Sequence, residues 1–456
     1  MERRILANNS QHHPQRIVYG LGDTGLSIAR YLYNVGDRFC VYDTLKNPAS
    51  LKTLKAEMPD IKFFSGDQPL SIVDRRTEIL LSPGVSHTDS FLLNAIKSGA
   101  IIKSDLDLFI TEVDVPVIGI TGSNGKSTVT EILGKMALES GFKAGVGGNL
   151  GPPALELLGT KAEVFILELS SFQLENSGPL DLSVAAILNF TPDHLDRHQT
   201  MNNYRSAKQR VFNGCRTAVI NRNDKNTHPQ DLGDCYVFQW GLDEPENGSI
   251  GLRGEIPNIH IYFGSEKIMR ADEIRLCGKH NLVNSLAALA IGISSGFSIE
   301  SMRRVLKSFS GLPHRCELIS SKSGVNWIND SKATNVGATR AALEGLGDQK
   351  NVILIAGGVA KGISFQSLLE PIKERCKEVI LIGESAVEFS EIISNQVRVS
   401  RVNSIAEAVQ LSYTNSLAGD LVLLSPACSS LDMFRDYIDR GESFIRAVSD
   451  IVGIEK

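Results

Sequence analysis

The stretch that decides the fold is Gly119-Ile120-Thr121-Gly122-Ser123-Asn124-Gly125-Lys126-Ser127-Thr128. An apolar run, residues 115–120, leads into it, and a helical pattern, residues 127–140, follows. A glycine-rich turn between a strand and a helix is the context of a phosphate cradle, because N–H groups at the helix start point at the anion. Lys126 would neutralise the outer phosphates, and Ser127 would hold Mg²⁺. The stretch therefore predicts ATP chemistry, with a tight strand-to-helix turn as the alternative.

The loop departs from the usual pattern G-x-x-x-x-G-K-[ST]. Counting back from Gly125, the first position is Ile120, and glycines stand at 119 and 122 instead. It is therefore a variant loop of the form Gly-x-x-Gly-x-x-Gly-Lys-[Ser/Thr], and the variant itself carries information about the class of enzyme.

Another glycine-rich loop, Gly20-x-Gly22-x-x-Gly25, follows the short apolar strand 16–20. Asp43 ends the next strand, at the spacing of a dinucleotide-binding fingerprint. The pattern alone leaves three interpretations open: NAD, a nucleotide-sugar diphosphate, or merely close packing of a helix on a strand.

Strands alternate with helices along the chain, which indicates parallel sheets. The 456 residues favour about three domains. A break at Gly311-Leu312-Pro313 separates the last unit from the second. We therefore predict an α/β protein of three domains: a Rossmann-like domain at 1–106, a P-loop ATPase-type domain at 107–311 and a second Rossmann-like domain at 312–456.

Composition excludes several classes of protein. The net charge of −5 argues against a general nucleic-acid binder, which would carry a basic surplus. No apolar run reaches the about 18 residues needed to span a bilayer, and the polar first fourteen residues do not form a signal peptide. Seven scattered cysteines without metal-ligand spacing are typical of reduced thiols. We expect a cytoplasmic protein.

Charged residues follow the strands of the central unit. Glu168 ends an apolar strand and could hold Mg²⁺, the alternative being a solvated strand end. The run Asp193-His194-Leu195-Asp196-Arg197-His198 also follows a strand, where loops often carry chemistry, and His194 is a candidate metal ligand. Lys208 lies in a predicted helix, and by itself such a lysine is most often solvated.

Several runs together resemble the Mur ligase family, from about residue 16 to the end of the chain. Beside the phosphate loop they are Glu168-Leu169-Ser170-Ser171-Phe172-Gln173-Leu174-Glu175, Asp193-His194-Leu195-Asp196 and Gly278-Lys279-His280-Asn281-Leu282-Val283-Asn284. Two runs of the last domain resemble the branch of the family that adds D-glutamate: Asn329-Asp330-Ser331-Lys332-Ala333-Thr334-Asn335 and Leu424-Ser425-Pro426-Ala427-Cys428-Ser429-Ser430-Leu431-Asp432-Met433-Phe434. The Asp-Asn-Pro-Arg signature of the diaminopimelate-adding branch is absent.

The resemblance implies an ATP-dependent, Mg²⁺-requiring ligase that joins D-glutamate to UDP-N-acetylmuramoyl-L-alanine through an acyl phosphate, in peptidoglycan precursor synthesis. We expect it to act as a monomer, with no nucleic-acid or membrane partner. Three substrates on three domains require closure, and we expect hinges near Leu106 and Gly311.

The resemblance also implies a role for individual residues. The uridine diphosphate would be lined by Asp23, Thr24, Asp43, Thr44, Ser82, Pro83 and Gly84, and the muramoyl part would touch Asn149. ATP would contact Gly122, Asn124, Gly125, Lys126, Ser127, Thr128, Asn281, Arg315 and Asp330. Mg²⁺ would be held by Ser127, Glu168 and His194, and catalysis would use Lys126, His194 and a carbamylated Lys208. D-Glutamate would be held by Lys332, Thr334, Lys361, Ser430, Leu431 and Tyr437.

Two positions depart from the family pattern. Leu45 stands where the family often has arginine, so a charge contact to the nucleotide would be missing or supplied from elsewhere. Val359 replaces the aspartate of the commoner Gly-Gly-Asp-x-Lys pattern before Lys361.

Three rival functions remain to be compared. A folate-polyglutamylating ligase shares the phosphate loop but has no use for a nucleotide-sugar domain. A P-loop switch or transport ATPase has no use for the Asp-His-Leu-Asp run or for the lysines and serines of the last domain. An NAD oxidoreductase depends on residues 20–25 alone.

Overall fold

Three mainly parallel sheets, each built from short apolar strands between helices, organise the chain. The computed structural model describes residues 16–66, 73–86, 88–231, 233–255, 257–276, 278–346, 349–360 and 364–453. Parallel strands are buried on both faces, so they are apolar along their whole length, as in Val352–Gly357, where every residue is buried. The predicted class, three α/β domains, is confirmed.

The first domain contains five described strands in the order β3-β2-β1-β4-β5, all parallel. Its elements are β1 (Arg16–Tyr19), α1 (Asp23–Val35), β2 (Phe39–Asp43), α2 (Leu51–Glu57), β3 (Phe63–Ser65), β4 (Glu78–Leu81), α3 (Ser90–Lys97), β5 (Ile101–Lys103) and α4 (Asp105–Glu112). The strand order reverses between β1 and β4, and such a reversal opens a crevice at the carboxyl ends of the strands.

The central domain contains nine described strands in the order β14-β13-β12-β11-β10-β9-β6-β8-β7. Its strands are β6 (Val117–Thr121), β7 (Ala144–Gly148), β8 (Val164–Glu168), β9 (Val184–Ile187), β10 (Thr217–Asn221), β11 (Tyr236–Trp240), β12 (Ile250–Arg253), β13 (His260–Phe263) and β14 (Glu266–Arg270). Its helices are α5 (Lys126–Glu139), α6 (Ser171–Asn176), α7 (Leu195–His198), α8 (Met201–Gln209), α9 (Lys279–Ser294) and α10 (Ile299–Ser308). The sheet is antiparallel only at β12–β14, so β6, β8 and β9 end side by side at one edge.

The last domain contains six described strands in the order β15-β16-β20-β17-β18-β19. Its strands are β15 (Glu317–Ser320), β16 (Asn326–Asn329), β17 (Val352–Gly357), β18 (Cys376–Ile382), β19 (Arg398–Arg401) and β20 (Leu421–Leu424). Its helices are α11 (Val336–Leu346), α12 (Leu369–Arg375), α13 (Ala386–Ile393), α14 (Ile405–Asn415) and α15 (Tyr437–Val452). Only β15 runs antiparallel, so the ends of β16 and β20 meet at one edge.

The first and central domains share a hydrophobic core. Phe109 of α4 packs edge-on against Phe165 of β8, with ring centroids 5.0 Å apart. Leu106 is buried within the same helix, so bending at this residue would expose apolar surface of both domains, which argues against the hinge expected there. The boundary predicted between residues 106 and 107 falls inside α4, whereas Gly311 lies in the loop between α10 and β15.

The cysteines are less dispersed in space than in sequence. Six described cysteines are free thiols, and Cys215 and Cys235 come together with their Sγ atoms 3.2 Å apart. Within the described ranges no helix is both long and apolar enough to cross a membrane.

A buried carboxyl at the start of α4 makes stability depend on pH. Asp105 has no exposed surface, and neither carboxylate oxygen has a hydrogen-bond partner among the described residues. Burial raises the pKa of Asp105 to about 6, and nearby backbone N–H groups offset only part of this effect. The folded state therefore holds a proton that the unfolded chain has released, and the free energy of unfolding falls as pH rises from about 4 to about 6.

We predict that Asp105→Asn raises the free energy of unfolding at pH 7 by about 1–3 kcal/mol and makes it less dependent on pH between about 4 and 6. Urea unfolding at several pH values measures both. Asp107→Asn is the control, since this carboxylate accepts hydrogen bonds from Ser104 and from the N–H of Gly178, and its loss should not stabilise the fold. An Asp105→Asn variant that is less stable than the wild type at pH 7 would contradict the prediction.

Candidate active site

The phosphate loop begins where β6 ends and leads directly into α5. Gly125 precedes the helix with φ +80, a left-handed conformation that favours glycine. A Cβ at this position would lie 2.3 Å from Oδ1 of Asn284 in α9. Lys126 Nζ donates to the carbonyl oxygens of Gly122, at 2.9 Å, and Ser123, at 3.1 Å. The lysine thus lies over the loop, in the position from which it can meet a phosphate.

Asn189, after β9, holds the loop in shape. Its Oδ1 accepts from the N–H of Asn124 at 2.9 Å, and its Nδ2 donates to the carbonyl of the same residue at 2.8 Å. Ser123 Oγ donates to the carbonyl of Thr191 and accepts from its N–H. Asn189 received no role from the sequence, because only the pairing of β9 beside β6 brings it to the loop.

Glu168 is the strongest candidate for a metal ligand. Its side chain is 2 % exposed at the end of β8, and Oε1 accepts from Asn149 Nδ2 at 2.6 Å. Oε2 is buried and has no hydrogen-bond partner among the described residues. A buried carboxylate oxygen without a partner is costly, and a hard cation such as Mg²⁺ would satisfy it.

The other two predicted metal ligands are placed differently. His194 caps α7 with φ 52, and its half-exposed ring lies edge-on to Phe172 with centroids 4.9 Å apart. Ser127 is buried, and its Oγ accepts from Arg315 Nη2 at 2.6 Å. Within the described residues no three His, Cys, Asp or Glu side chains converge on one point. These residues would offer Mg²⁺ only a partial set of ligands, which phosphate oxygens and water would have to complete.

Lys208 is buried, contrary to the default for a lysine in a helix. It is 2 % exposed, and its Nζ donates to the carbonyl of Gly122 at 2.9 Å and to Thr121 Oγ1 at 3.3 Å. Burial, and then the nearby charge of Lys126, hold its pKa well below the usual range for lysine. The Lys208 amine thus lies directly beneath the phosphate loop, where burial favours its uncharged, nucleophilic form.

A cavity of about 850 Å³ opens above the loop, between the central and last domains. The predicted residues that line it are Asn124, Gly125, Lys126, Ser127, Thr128, Asn149, Glu168, His194, Asn281, Arg315, Asp330, Lys332, Thr334 and Tyr437. Gly122 and Lys208 lie behind the loop rather than on this surface. Ser430 is buried away from the cavity wall, Leu431 is exposed, and Lys361 falls outside the described residues.

Burial shifts the pKa values of two titratable side chains in this cavity. Burial raises the pKa of Asp330 to about 6, although Ser425 Oγ donates to its Oδ2 at 2.8 Å. Burial also lowers the pKa of Lys332 to about 8, and its Nζ lies 3.7 Å from the ring centroid of Tyr437. The cavity thus combines cations from two domains, Lys126, Arg315 and Lys332, which suits anionic substrates.

A second cavity, of about 870 Å³, lies in the crevice of the first domain. All seven residues predicted for a nucleotide line it: Asp23, Thr24, Asp43, Thr44, Ser82, Pro83 and Gly84. Asp43 Oδ2 accepts from the N–H of Leu21 at 2.6 Å, and a Cβ on Gly25 would lie 1.9 Å from the carbonyl oxygen of Gly20. The glycines therefore serve close helix packing in addition to any ligand.

Asn149 connects the two cavities. It lines both of them, and the amide that faces them is held by Glu168. The lining of the first-domain cavity includes a single described cation, Arg30, which pairs with Glu57 and, across the domain boundary, with Glu156. Leu45, at the position where a further charge was expected, is 62 % exposed.

The chain is similar over most of its length to known protein families. The family model of the MurD-like N-terminal domain matches residues 14–104, that of the Mur ligase middle domain 120–292, and that of the Mur ligase glutamate ligase domain 314–428.

Curated relatives cover nearly the whole chain. The UDP-N-acetylmuramoylalanine–D-glutamate ligase of Legionella pneumophila (strain Lens) is 42% identical over 443 residues, 96% of this chain and 99% of the relative. The enzyme of the same name from Chromohalobacter salexigens is 46% identical over 437 residues, 94% of this chain and 95% of the relative.

Solved structures share the fold at lower identity. The UDP-N-acetylmuramate–alanine ligase of Thermotoga maritima superposes with a TM-score of 0.59 at 17% identity, covering 96% of this chain and 100% of its own. The MurF ligase of the same organism, in complex with ADP, gives 0.60 at 17% identity, covering 96% and 95%. At this identity they show the shared architecture alone.

We predict that Gly125→Ala raises KM for ATP about tenfold or more, because the left-handed backbone strains alanine and the new methyl displaces Asn284, which lines the cavity above the phosphate loop. Steady-state kinetics at saturating concentrations of the other substrates measures the effect. Gly141→Ala is the matched control, since φ is +90 there but no atom lies within 4 Å of the new methyl. Equal KM values for ATP in the two variants would contradict the prediction.

Proposed function

The chain belongs to the Mur ligase family, and on this basis we propose that it is an ATP-dependent, ADP-forming ligase that joins D-glutamate to UDP-N-acetylmuramoyl-L-alanine. The relatives that carry this activity in their names are 41–46% identical over nearly the full length. The observation in the structure that best supports it is the meeting of two cavities at Asn149, beside Glu168 and the phosphate loop. A carboxylate held in the first cavity can thereby reach a phosphate held in the second.

Each cavity suits one part of the substrate set. The first-domain crevice suits a uridine diphosphate sugar, whose carboxyl-bearing end would extend past Asn149. The phosphate loop and α5 would hold ATP, and the lysines on the last-domain side would attract the two carboxylates of D-glutamate. We further propose that the enzyme is a cytoplasmic monomer of peptidoglycan precursor synthesis, since one chain supplies all of these surfaces.

The first chemical step brings two anions together. An oxygen of the L-alanine carboxylate attacks the γ-phosphorus of ATP, the bond to ADP breaks, and an acyl phosphate forms. Lys126 and Arg315 offset the repulsion between the carboxylate and the phosphates. Glu168, His194 and Ser127 would hold Mg²⁺, which supplies further neutralisation of phosphate charge when bound.

In the second step the amine of D-glutamate attacks the acyl carbon. A tetrahedral intermediate forms, loses inorganic phosphate and one proton, and leaves an amide. Lys332 and Thr334 would orient the amino acid, and closure of the last domain would bring the reacting atoms to about 3–3.5 Å.

The resemblance to the family implies carbamylation of Lys208, and the burial of its amine supports this proposal. An uncharged amine attacks CO₂, and the product is a carbamate with release of one proton. The new carboxylate would carry negative charge beside Lys126 and would satisfy the cations that crowd the loop. The side chain of residue 208 would then carry a negative charge in place of the positive charge of an ordinary lysine.

The proposed activity is tested by phosphate release from ATP. We expect release that requires both UDP-N-acetylmuramoyl-L-alanine and D-glutamate, with a peptide-bonded product identified by mass spectrometry. Turnover with L-glutamate but not with D-glutamate would overturn the substrate assignment. ATP hydrolysis that is independent of both substrates would favour a switch or transport ATPase.

We predict that Lys208→Ala abolishes ligation and that short carboxylates such as acetate restore part of it, because they can occupy the space of the carbamate. The control is Lys135→Ala, an exposed lysine near the ring of Phe309 and outside both cavities, which should keep its activity. Activity at the wild-type level in Lys208→Ala would remove the carbamate role.

A further inference from the structure

The side chains of the run from Asp193 to His198 lie in different surroundings in the structure. Asp193 and His194 line the ATP cavity, whereas His198 is buried and its Nε2 lies 2.9 Å from Ser171 Oγ. Arg197 does not line that cavity and is not fully buried. Its side chain extends from the central domain to the first domain. The function described above gives this arginine no task.

Arg197 holds the loop that follows β4. Its Nη1 donates to the carbonyl of Pro83 at 2.8 Å, and its Nη2 donates to the carbonyl of Val85 at 2.9 Å. Pro83, Gly84 and Val85 all line the cavity of the first domain. Both nitrogens at the end of the guanidinium therefore bind the wall of the proposed nucleotide-sugar site from behind.

The same guanidinium is fixed on the side of the central domain. It lies over the ring of Phe172, with 4.3 Å between Cζ and the centroid, and Glu175 lies 3.8 Å from Nη2. Phe172 also contacts the rings of His194 and His198, with centroids 4.9 and 5.3 Å away. α7 is only four residues long, with the candidate metal ligand His194 as its N-cap residue and Arg197 in its last turn, so one short helix carries both side chains.

The loop that Arg197 binds is tied to the glycine-rich loop of the first domain. Ser82 Oγ donates to the carbonyl of Gly20 at 2.7 Å. A continuous set of contacts thus runs from the glycine loop through Ser82 and the Pro83–Val85 carbonyls to Arg197, and from there to α7 and His194.

The arrangement needs arginine. A guanidinium can donate two roughly parallel hydrogen bonds while it stacks on an aromatic ring, whereas a lysine ammonium is a point donor without a planar face. A lysine at this position would keep the charge and lose the two-carbonyl contact.

We propose that Arg197 is a positioning residue for the nucleotide-sugar substrate, which fixes the Pro83–Val85 wall of its cavity against the helix that carries His194. This rests on the proposed function, because it assigns the first cavity to a uridine diphosphate sugar. Arg197 would act on the ligand through the wall residues and not by contact.

Isothermal titration of the full-length enzyme with UDP-N-acetylmuramoyl-L-alanine, and separately with a non-hydrolysable ATP analogue and Mg²⁺, tests the proposal in Arg197→Lys and Arg197→Met. We expect Kd for the uridine compound to rise about tenfold in Arg197→Met and by less in Arg197→Lys, while Kd for the ATP analogue changes less than about twofold. Arg222→Lys is the matched control, because Arg222 donates to the carbonyls of Asp243, Glu244 and Ile250, away from both cavities. It should lose stability without any change in either Kd.

Three outcomes are distinct. Unchanged affinity for the uridine compound in both Arg197 variants would overturn the proposal and leave the proposed function intact. An equal rise in both Kd values would show that Arg197 supports the fold in general, and this would also overturn the proposal. A wild-type enzyme that does not bind the uridine compound would overturn the proposed function, and the role of Arg197 with it.

Discussion

Two lysine amines donate to one carbonyl oxygen, that of Gly122, and this crowding of positive charge governs the site. Lys126 and Lys208 reach it from α5 and α8, each at 2.9 Å. Two buried amines so close together cannot both carry a positive charge without an anion nearby, and burial lowers the pKa of each. Phosphate above the loop and a carbamate below it would each relieve this repulsion. The proposed binding of ATP and the proposed carbamylation of Lys208 would thus have one physical origin.

The parts of the site predicted from sequence are those set by short-range geometry. The phosphate loop and the glycine loop of the first domain carry their own signals, because glycine spacing, a preceding strand and a following helix are all local. Asn189, Asn284 and Arg197 gave no such signal. They act on segments far away in sequence, and only the strand order and the domain contacts bring them there. The sequence around Lys208 was misleading, because a polar helix predicts a solvated lysine. It does not reveal that the phosphate loop covers one face of that helix.

The domain boundary shows the same limit. The sequence placed the end of the first domain and a hinge near residue 106, but α4 continues to Glu112 and buries Phe109 against β8. The first and central domains are joined by this core and by the pairs Arg30–Glu156 and Arg197–Pro83. Opening the two would expose apolar surface and break several polar contacts together. We therefore assign closure to the last domain, about the loop that contains Gly311.

The contacts that hold the last domain also belong to the site. Arg315 donates to Ser127 at the start of α5, and Asn335 donates to Asp193 beside His194 at 3.2 Å. Phosphates bound in the loop would offer the Arg315 guanidinium charged acceptors in place of a neutral hydroxyl, and a charged acceptor makes the stronger hydrogen bond. Nucleotide binding would therefore strengthen the link between the central and last domains through the same arginine. D-Glutamate, held by Lys332 just beyond Asp330, would be carried toward the acyl phosphate by that movement, so closure and charge neutralisation would be one event.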